Sequence, residues 1–456
     1  MRRVADGVMT RLARLLTHVF FRHVEVVGSE NIPARGALMV VANHSNGLVD
    51  GLLLMTALRR YPRFVGKSTL FRIPPLRPFL KLAGVVPVHR RSDAPKGDGD
   101  SNEAMFRTCR HLLARGGVVA LFPEGISHNE PALQPLRTGA ARIVLGAAAD
   151  DGTPGIVTVA VGLVYDAKAT FRSRALVRIG PAVPVDRFVE PYQQDSRAAV
   201  RTFTEVLADQ LGDVVTTYRS WREAEMLAAM ADLVLAPAES GALGQGSDTD
   251  NGDGDGPSLA DRERVASSLA SIDLGSTGPG RALEDAFGTY QRDLTLLGLS
   301  DRQVTTSYGR RYRAALAWSL LKVAVALPPG LLGAVVHVVP YQVVKRASVL
   351  AKDESIKATV KLGGCAALFS VTYLTIAEVV RRKKGPFWAA IALVGAPLSG
   401  VATLRLSERI KAVGGLVAGA GTVRSRQVVL PTVLAHRAEV VRKVWELSQE
   451  GEPLSA

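Results

Sequence analysis

The sequence predicts an α/β domain with a mostly parallel sheet flanked by helices, followed by a helical, membrane-associated C-terminal region. Short apolar, β-branched segments recur between Val24 and Pro191, and helix-length intervals separate them, which is typical of a buried parallel sheet. Further along, residues 323–344 and 385–404 contain no Asp, Glu, Lys or Arg. Each is close to the roughly 20 residues that cross a bilayer, so these segments predict the membrane-associated region.

Residues 1–23 predict an amphipathic N-terminal helix, because apolar residues recur at helical spacing with arginines between them. Such a helix either lies on an anionic bilayer or packs on the domain that follows, and both alternatives stay open. The segment has neither the apolar core nor the cleavage site of a signal peptide. The apolar positions are Val4, Val8, Leu12, Leu15, Leu16 and Val19, and the arginines are Arg2, Arg3, Arg11 and Arg14.

Residues 24–236 predict the α/β domain. Its predicted strands lie within "ALMVVAN", "RFVGKS", "GVVPVHR", "GGVVALFPEG", "GIVTVAVGLVYD" and "ALVRIGPAV", and residues 196–235 predict helices. Residues 237–280 predict a disordered linker, because a segment dense in Gly, Ser and Asp buries too little apolar surface to order itself. Residues 281–456 then form the predicted helical, membrane-embedded C-terminal region.

The membrane topology has more than one solution. The uncharged stretch 362–377 is short for an upright span, and prolines at 328, 329, 340, 386 and 397 favour kinked or re-entrant segments as an alternative. Lys and Arg residues occur in both connections between these apolar stretches, and such residues favour the cytoplasmic side of a membrane. A single crossing between the two connections would place them on opposite sides, so the two preferences conflict. A soluble helical bundle is the other alternative, and the number and orientation of membrane segments stay open.

Composition narrows the classes of partner. A net charge of +14 over 456 residues favours an anionic partner: nucleic acid, a phosphorylated small molecule or an anionic membrane. Nucleic acid is disfavoured, because no basic stripe with interleaved aromatic residues is present. Cys109 and Cys365 lie far apart without metal-ligand spacing, so neither a disulfide framework nor a zinc site is expected. A reducing cytoplasmic location is the expectation.

The segment "VVANHSNGLVDGLLL" brings a histidine and a carboxylate together. If the apolar strand ends at His44 and a helix begins in the following residues, Asp50 lies in the first turn of that helix, close enough to bond the imidazole. Such a pair supplies a base for an alcohol proton and a carboxylate to orient that base. The alternative is a strand-end histidine followed by an aspartate that caps a helix.

Further charged residues follow other predicted strands. Glu124 in "FPEGISHNEPALQPLRTGAARI" lies at the carboxyl end of a strand, where open α/β sheets hold ligands, and Arg137 and Arg142 follow at helical spacing. The arginine fork suits phosphate, because it makes paired, charge-assisted hydrogen bonds. A capping glutamate and solvated surface arginines are the alternative. Further arginines at strand ends are Arg90, Arg91, Arg172, Arg174 and Arg178.

The order of these segments resembles the four sequence blocks of the glycerophospholipid acyltransferase superfamily. The blocks here read "NHSNGLVD" at 43–50, "GVVPVHR" at 84–90, "FPEGISH" at 122–128 and "VTVAVGLVYD" at 157–166, and the resemblance covers about residues 28–190. Five residues separate His44 from Asp50 where the superfamily usually has four. In this the chain is similar to the branch that acylates glycerol 3-phosphate or dihydroxyacetone phosphate, and the resemblance implies a glycerol-3-phosphate acyltransferase-like fold.

The resemblance implies roles residue by residue. His44 is the implied general base and Asp50 orients it, while Arg90, Glu124 and Gly125 help to bind the phosphorylated acceptor. The acceptor hydroxyl then attacks the thioester of acyl-CoA or an acyl carrier protein directly, with no metal and no cofactor. No G-x-S-x-G motif indicates a covalent acyl-enzyme. Further candidate substrate-binding residues are Asn43, Asn46, Ser127, Arg137 and Arg172.

The expected function is therefore acyl transfer to glycerol 3-phosphate or dihydroxyacetone phosphate at the cell membrane, with the active domain facing the cytoplasm. One alternative is a 1-acylglycerol-3-phosphate or other lysophospholipid acyltransferase, and a second is a catalytically inactive membrane lipid-binding protein. The expected partners are acyl-CoA, the phosphorylated glycerol-type acceptor and membrane lipid, without nucleic acid. Acyl chain length, the choice between the two thioester donors and oligomeric state stay open.

Overall fold

A computed structural model of the protein describes residues 2–73, 76–89, 100–236, 257–272, 274–275, 278–305, 310–350, 354–425 and 428–450. The described residues divide into two compact units. The first draws on Met1–Trp221 and Ala351–Thr359, and the second on Arg222–Leu350 and Val360–Ala456. The α/β unit of the structure therefore ends near residue 221, and the helix after it groups with the C-terminal unit instead of with the predicted domain 24–236.

A seven-stranded sheet forms the centre of the first unit, in the order β1-β7-β6-β2-β5-β3-β4. The five strands from β6 to β4 are parallel, β7 is antiparallel to β6, and β1 is parallel to β7. The predicted mostly parallel sheet is confirmed. The strands are β1 Phe21–Val27, β2 Leu38–Ala42, β3 Pro62–Lys67, β4 Val86–Val88, β5 Val118–Leu121, β6 Val157–Tyr165 and β7 Ser173–Pro184.

Helices cover this sheet, and every residue of the central strand β2 is buried, as expected for a strand with both faces covered. Met39 and Val41 pack in one core with Ile143 and Phe203. Each such side chain contributes about 1.5–3 kcal/mol by leaving water. The helices of the first unit are α1 Arg2–Phe20, α2 Leu48–Ala57, α3 Leu76–Ala83, α4 Asp100–Ala114, α5 Gly139–Leu145, α6 Val189–Gln194 and α7 Ser196–Val214.

Helix α1 packs on the first unit through one face. Met9, Ala13 and Phe20 are buried, and Asp6 on the same side pairs with Arg63 at 2.7 Å. Most of the predicted apolar stripe lies on a different face, where Val4, Val8, Leu12 and Leu15 are exposed, while Leu16 and Val19 are half-buried. Packing on the domain is thus observed through residues that the sequence pattern did not single out, and bilayer contact through the exposed stripe stays a prediction.

From Trp221 onward the described ranges contain helices and no strand. Eight helices follow there: α8 Trp221–Leu235, α9 Leu259–Ser271, α10 Gly278–Leu297, α11 Asp301–Thr305, α12 Arg310–Val349, α13 Glu354–Lys384, α14 Pro386–Ser425 and α15 Leu430–Glu450.

The predicted linker 237–280 is wrong in its second part, because α9 lies within it. Ser258 caps this helix by accepting a hydrogen bond from the backbone N–H of Asp261 at 3.0 Å, and Leu259, Val265 and Leu269 are buried. A short amphipathic helix of this kind is hidden when composition is averaged over the whole Gly- and Ser-rich segment. Residues 237–256 lie outside the described residues.

Among the described residues of the C-terminal region, three helical segments are long and apolar enough to cross a membrane: Tyr312–Val349, Thr359–Lys384 and Pro386–Gly415. The first contains the predicted span 323–344, and the third contains residues 386–404 of the predicted span 385–404. The middle one contains stretch 362–377, which continues as helix to a full spanning length. The chain remains helical through Pro328, Pro329 and Pro340 in α12 and through Pro397 in α14, so the described residues show no re-entrant loop at these prolines.

One buried histidine links these apolar helices. His337 of α12 contacts the carbonyl oxygen of Gly333 through Nδ1 at 2.7 Å and the hydroxyl of Tyr373 of α13 through Nε2 at 2.8 Å. Gly400 of α14 leaves room for the ring, because a Cβ there would lie 2.7 Å from Nε2 of His337. Both ring nitrogens are satisfied, as a buried imidazole requires, so this histidine holds the helices together.

Candidate active site

A tight turn after strand β2 brings His44 and Asp50 together. Strand β2 ends at Ala42 and helix α2 begins at Leu48, with Gly47 between them at φ 55° and ψ −127°, a conformation open only to glycine. Asp50 lies in the first turn of α2, as predicted. Nδ1 of His44 lies 2.8 Å from Oδ2 of Asp50 despite the five residues between them.

Asp50 is fully buried and its carboxylate accepts three hydrogen bonds. The backbone N–H of Asn46 donates to Oδ2 at 2.8 Å, beside the imidazole of His44, and the hydroxyl of Tyr165 donates to Oδ1. An ionised carboxylate only accepts hydrogen bonds, so a neutral imidazole in this contact has its hydrogen on Nδ1 and its lone pair on Nε2. This is the tautomer that a general base needs.

Tyr165 was not among the predicted site residues. Burial, and next the adjacent charge of Asp50, raise its pKa well above the usual value, so the phenol stays protonated and donates. One signal in the sequence could have identified Tyr165: it lies near the end of the block "VTVAVGLVYD", on a strand parallel to β2. The carboxyl ends of parallel strands share one edge of the sheet, so a residue at this position lies near the residues that follow β2.

The imidazole of His44 is oriented by an aromatic neighbour. Its ring stacks on Phe122 with the ring centroids 4.0 Å apart and the planes 9° from parallel. The side chain is 18% exposed, and within the described residues Nε2 has no hydrogen-bond partner. The lone pair of Nε2 is therefore available to the hydroxyl of a bound molecule.

Glu124 follows strand β5 and holds the backbone around the site. Its Oε1 accepts a hydrogen bond from the backbone N–H of His44 at 2.8 Å, and its Oε2 accepts from the backbone N–H of Gln134 at 2.9 Å and from Nε2 of His128. The backbone N–H of His128 donates in turn to the carbonyl oxygen of His44 at 3.1 Å. The buried carboxylate thus positions the turn that carries His44, and its predicted contact with substrate stays a prediction.

Gly125 and Arg137 lie against each other beside Glu124. Gly125 has φ 71°, and a Cβ on it would come within 2.4 Å of Nε of Arg137, so the glycine makes room for the arginine side chain. The backbone N–H of Arg137 donates to Pro123 at 2.8 Å. Its side chain is exposed, and its guanidinium bonds no described residue, which leaves its donors available to an anion.

Three other predicted residues bond within the protein. Asn43 pairs with the backbone of Leu163 on β6, donating at 3.0 Å and accepting at 2.7 Å, and so extends the contact between β2 and β6. The Asn46 amide donates to the carbonyl oxygen of Lys168 at 3.0 Å, and Ser127 Oγ accepts from the backbone N–H of Gly47 at 3.2 Å. These contacts hold the turn in place, and substrate contact by these residues stays a prediction.

The predicted arginines are in different surroundings. Arg172, at φ 65°, donates from its backbone N–H to Phe20 at 2.6 Å and from Nη1 to His18 at 3.1 Å, so it ties the end of α1 to the sheet edge. Arg174 pairs with Asp166 at 3.3 Å. Arg90 lies outside the described residues. In the described part of the chain, no three His, Cys, Asp or Glu side chains are grouped as metal ligands.

The fold and the site define an α/β domain that carries a buried His–Asp pair at the carboxyl edge of its sheet. Residues 23–162 match the family model described as Acyltransferase. This match and the similar acyltransferases described next support the resemblance to the glycerophospholipid acyltransferase superfamily that the four blocks predicted.

Several curated proteins are similar over part of the chain. Glycerol-3-phosphate O-acyltransferase 2 of Saccharomyces cerevisiae is 35% identical over 25% of this chain and 16% of its own length. An uncharacterized acyltransferase of Schizosaccharomyces pombe is 24% identical over 75% of this chain and 62% of its own length. A chloroplastic 1-acyl-sn-glycerol-3-phosphate acyltransferase of Brassica napus is 28% identical over 31% of this chain and 38% of its own length.

The chain therefore spans less than two thirds of the length of each of these relatives. Among solved structures, the 1-acyl-sn-glycerophosphate acyltransferase PlsC of Thermotoga maritima is similar with 21% identity and a TM-score of 0.34, over 46% of this chain and 80% of that chain.

Proposed function

We propose that the protein transfers a fatty acyl group from acyl-CoA to a hydroxyl of glycerol 3-phosphate or dihydroxyacetone phosphate, at the cytoplasmic face of the cell membrane. The observation that carries this proposal is the His44–Asp50 pair, with a 2.8 Å contact on Nδ1 and no partner for Nε2 in the described part of the chain. A base oriented by a buried carboxylate is what an alcohol needs to become a nucleophile.

The chemical step uses these atoms directly. Nε2 of His44 takes the proton of the acceptor hydroxyl as that oxygen attacks the thioester carbonyl carbon. The new C–O bond forms, the C–S bond breaks, and the thiolate of coenzyme A leaves and takes the proton from the imidazolium. Asp50 stays ionised throughout and stabilises the imidazolium while it exists.

A phosphorylated acceptor is supported by charge. Arg137 presents a guanidinium that bonds none of the residues that the structure describes, beside Gly125 on the loop whose Phe122 stacks on His44. The planar fork matches phosphate oxygens, and Arg90 is a second proposed cation for the same acceptor. The five-residue interval between His44 and Asp50 favours the small acceptors, because it is shared with the branch that acylates them.

The three helices that are long enough to cross a bilayer support a membrane location. A product with a fatty acyl chain then forms beside the bilayer that receives it. An acyl carrier protein is the alternative donor, since it presents the same thioester.

A 1-acylglycerol-3-phosphate acyltransferase is the second candidate. The name of the similar Brassica napus protein favours this candidate. The acceptor in that case, 1-acylglycerol 3-phosphate, differs from glycerol 3-phosphate only by an acyl tail. The third candidate is a catalytically inactive lipid-binding protein, in which the His44–Asp50 pair is present but catalyses no acyl transfer.

The test is an acyl-transfer assay with the full chain in lipid vesicles. Labelled acyl-CoA is offered with glycerol 3-phosphate, dihydroxyacetone phosphate or 1-acylglycerol 3-phosphate in separate reactions, and acyl carrier protein thioester replaces acyl-CoA in a parallel set. We expect labelled monoacyl product from one of the first two acceptors. Turnover of the acylated acceptor alone establishes the second candidate, and no turnover with any acceptor and either donor contradicts both enzymatic candidates.

A further inference from the structure

We infer that Tyr165 is a positioning residue for acyl transfer: its hydroxyl holds the Asp50 carboxylate in the orientation in which that carboxylate directs His44. This inference rests on the proposed function and adds to it a residue that touches neither the acceptor nor the thioester. It rests on the geometry around Asp50, whose two carboxylate oxygens accept hydrogen bonds from different parts of the chain.

The two carboxylate oxygens of Asp50 are held from different sides. Oδ2 receives the imidazole of His44 and the backbone N–H of Asn46, both at 2.8 Å, and these donors lie in the turn after β2. Oδ1 receives the hydroxyl of Tyr165, which lies 115 residues away in sequence on β6. Without that hydroxyl the carboxylate is oriented only by the two bonds on Oδ2, and Oδ1 is left buried without a donor.

Tyr165 is itself held in place. It is the last residue of β6 and pairs with Ala175 of β7, so its backbone is fixed by the sheet. Its ring stacks on Phe21, the first residue of β1, with centroids 5.8 Å apart and planes 26° from parallel. Two strands and an aromatic neighbour therefore fix the position of the hydroxyl, which makes it a preorganised donor.

The charged and titratable groups around the His44–Asp50 pair determine in which direction the pH dependence shifts when the Tyr165 hydroxyl is removed. His44 faces Asp50 from the turn, Tyr165 faces it from β6, and Glu124 binds the backbone of His44 from the loop after β5, with His128 on its other oxygen. The Tyr165 hydroxyl disperses the negative charge of Asp50. Removing it concentrates that charge on Oδ2, which favours both imidazolium formation and protonation of Asp50. Either change extends the inactive, protonated form to higher pH.

The test is Tyr165→Phe in the full chain, assayed in vesicles with the acceptor that the unsubstituted protein turns over. We expect kcat/KM to fall by about ten- to a hundredfold, the range for one lost hydrogen bond to a charged group. We also expect the acidic limb of the profile of kcat/KM against pH to move to higher pH. Tyr61→Phe is the matched control, because it removes a hydroxyl that donates to Ala83 at 3.1 Å elsewhere in the same unit.

A second variant tests the direction in which the acidic limb of the pH profile moves, without removing the hydroxyl. A fluorinated tyrosine at position 165 is a stronger donor of nearly the same shape, and it moves the acidic limb to lower pH if Tyr165 acts through Asp50. An unchanged limb in both variants overturns the inference, even if Tyr165→Phe lowers the thermal unfolding midpoint. Absence of acyl transfer by the unsubstituted protein is a different outcome, which contradicts the proposed function itself.

Discussion

The carboxylate of Glu124 accepts a hydrogen bond from the backbone N–H of His44 at 2.8 Å, across 80 residues of sequence. This bond joins the loop after β5 to the turn after β2, so His44 and the motif "FPEGISH" form one structural unit. The same carboxylate also binds His128 and Gln134. Glu124 is therefore both a predicted substrate contact and a residue that holds the site in shape.

Glu124→Gln is expected to destabilise the site. One side-chain oxygen becomes an NH₂ group, which faces donors that the carboxylate had satisfied, so the free energy of unfolding falls by about 1–3 kcal/mol. The measurement is the thermal unfolding midpoint of the purified chain together with its rate of acyl transfer. Glu130→Gln is the matched control, since Glu130 is exposed on the same loop. An unchanged midpoint and rate in Glu124→Gln would show that the three hydrogen bonds do not hold the turn.

His44→Gln is expected to remove the base while keeping a polar side chain of similar size. General base catalysis contributes about 10²–10⁴-fold, and kcat should fall by that factor. The measurement is acyl transfer at saturating acceptor. His111→Gln serves as control, because His111 is exposed on α4. A rate within twofold of the unsubstituted protein would remove His44 as the base.

Arg137→Ala is expected to weaken binding of the phosphorylated acceptor. The loss of a charged fork raises the KM for the acceptor by about tenfold, the equivalent of roughly 1.4 kcal/mol, and leaves the KM for acyl-CoA unchanged. Arg137→Lys keeps the charge without the fork and should give an intermediate value. Arg201→Ala on the exposed side of α7 is the control. Equal changes in both KM values would argue for a general disturbance of the fold instead.

Cys109 is expected to be chemically inert in the folded chain. The thiol is fully buried, and burial raises its pKa to about 12, so the reactive thiolate appears only as pH rises toward that value. At pH 8 the thiolate fraction is about 10⁻⁴. Mass spectrometry after treatment with a maleimide should find Cys109 unmodified until the chain is unfolded in detergent. Cys109→Ala identifies the modified peptide, and rapid labelling of the folded chain would show that the core around α4 opens.

The full chain is expected to resist extraction from membranes. Three long apolar helical segments expose many large side chains, among them Val335, Leu332 and Val394, and burial in lipid is the arrangement that satisfies them. After an alkaline carbonate wash the chain should remain in the membrane pellet, while a peripheral marker protein is released. Recovery of the chain in the supernatant would instead favour the soluble helical bundle.

Local sequence predicted a large part of the site. His44 and Asp50 lie six positions apart around Asn46 and Gly47, so the turn and the helix that join them follow from residues within one short segment. The parallel sheet was predicted for a related reason: apolar, β-branched segments with helix-length intervals have few other ways to bury both faces. Patterns of this kind depend on neighbours in the chain, and such neighbours can be read from the sequence.

The remaining features depend on pairs that are distant in the chain. The bond between Tyr165 and Asp50 and that between Glu124 and His44 join residues 115 and 80 positions apart, and no periodicity specifies such a meeting. The buried face of α1 was likewise decided by the surface it packs on, where Met9 and Ala13 are covered while the more regular apolar stripe stays exposed. The sequence by itself determined the His44–Asp50 pair and the strands that carry the site. The tertiary structure decided what holds that carboxylate in place, because only folding brings the carboxyl ends of β2, β5 and β6 to one edge of the sheet.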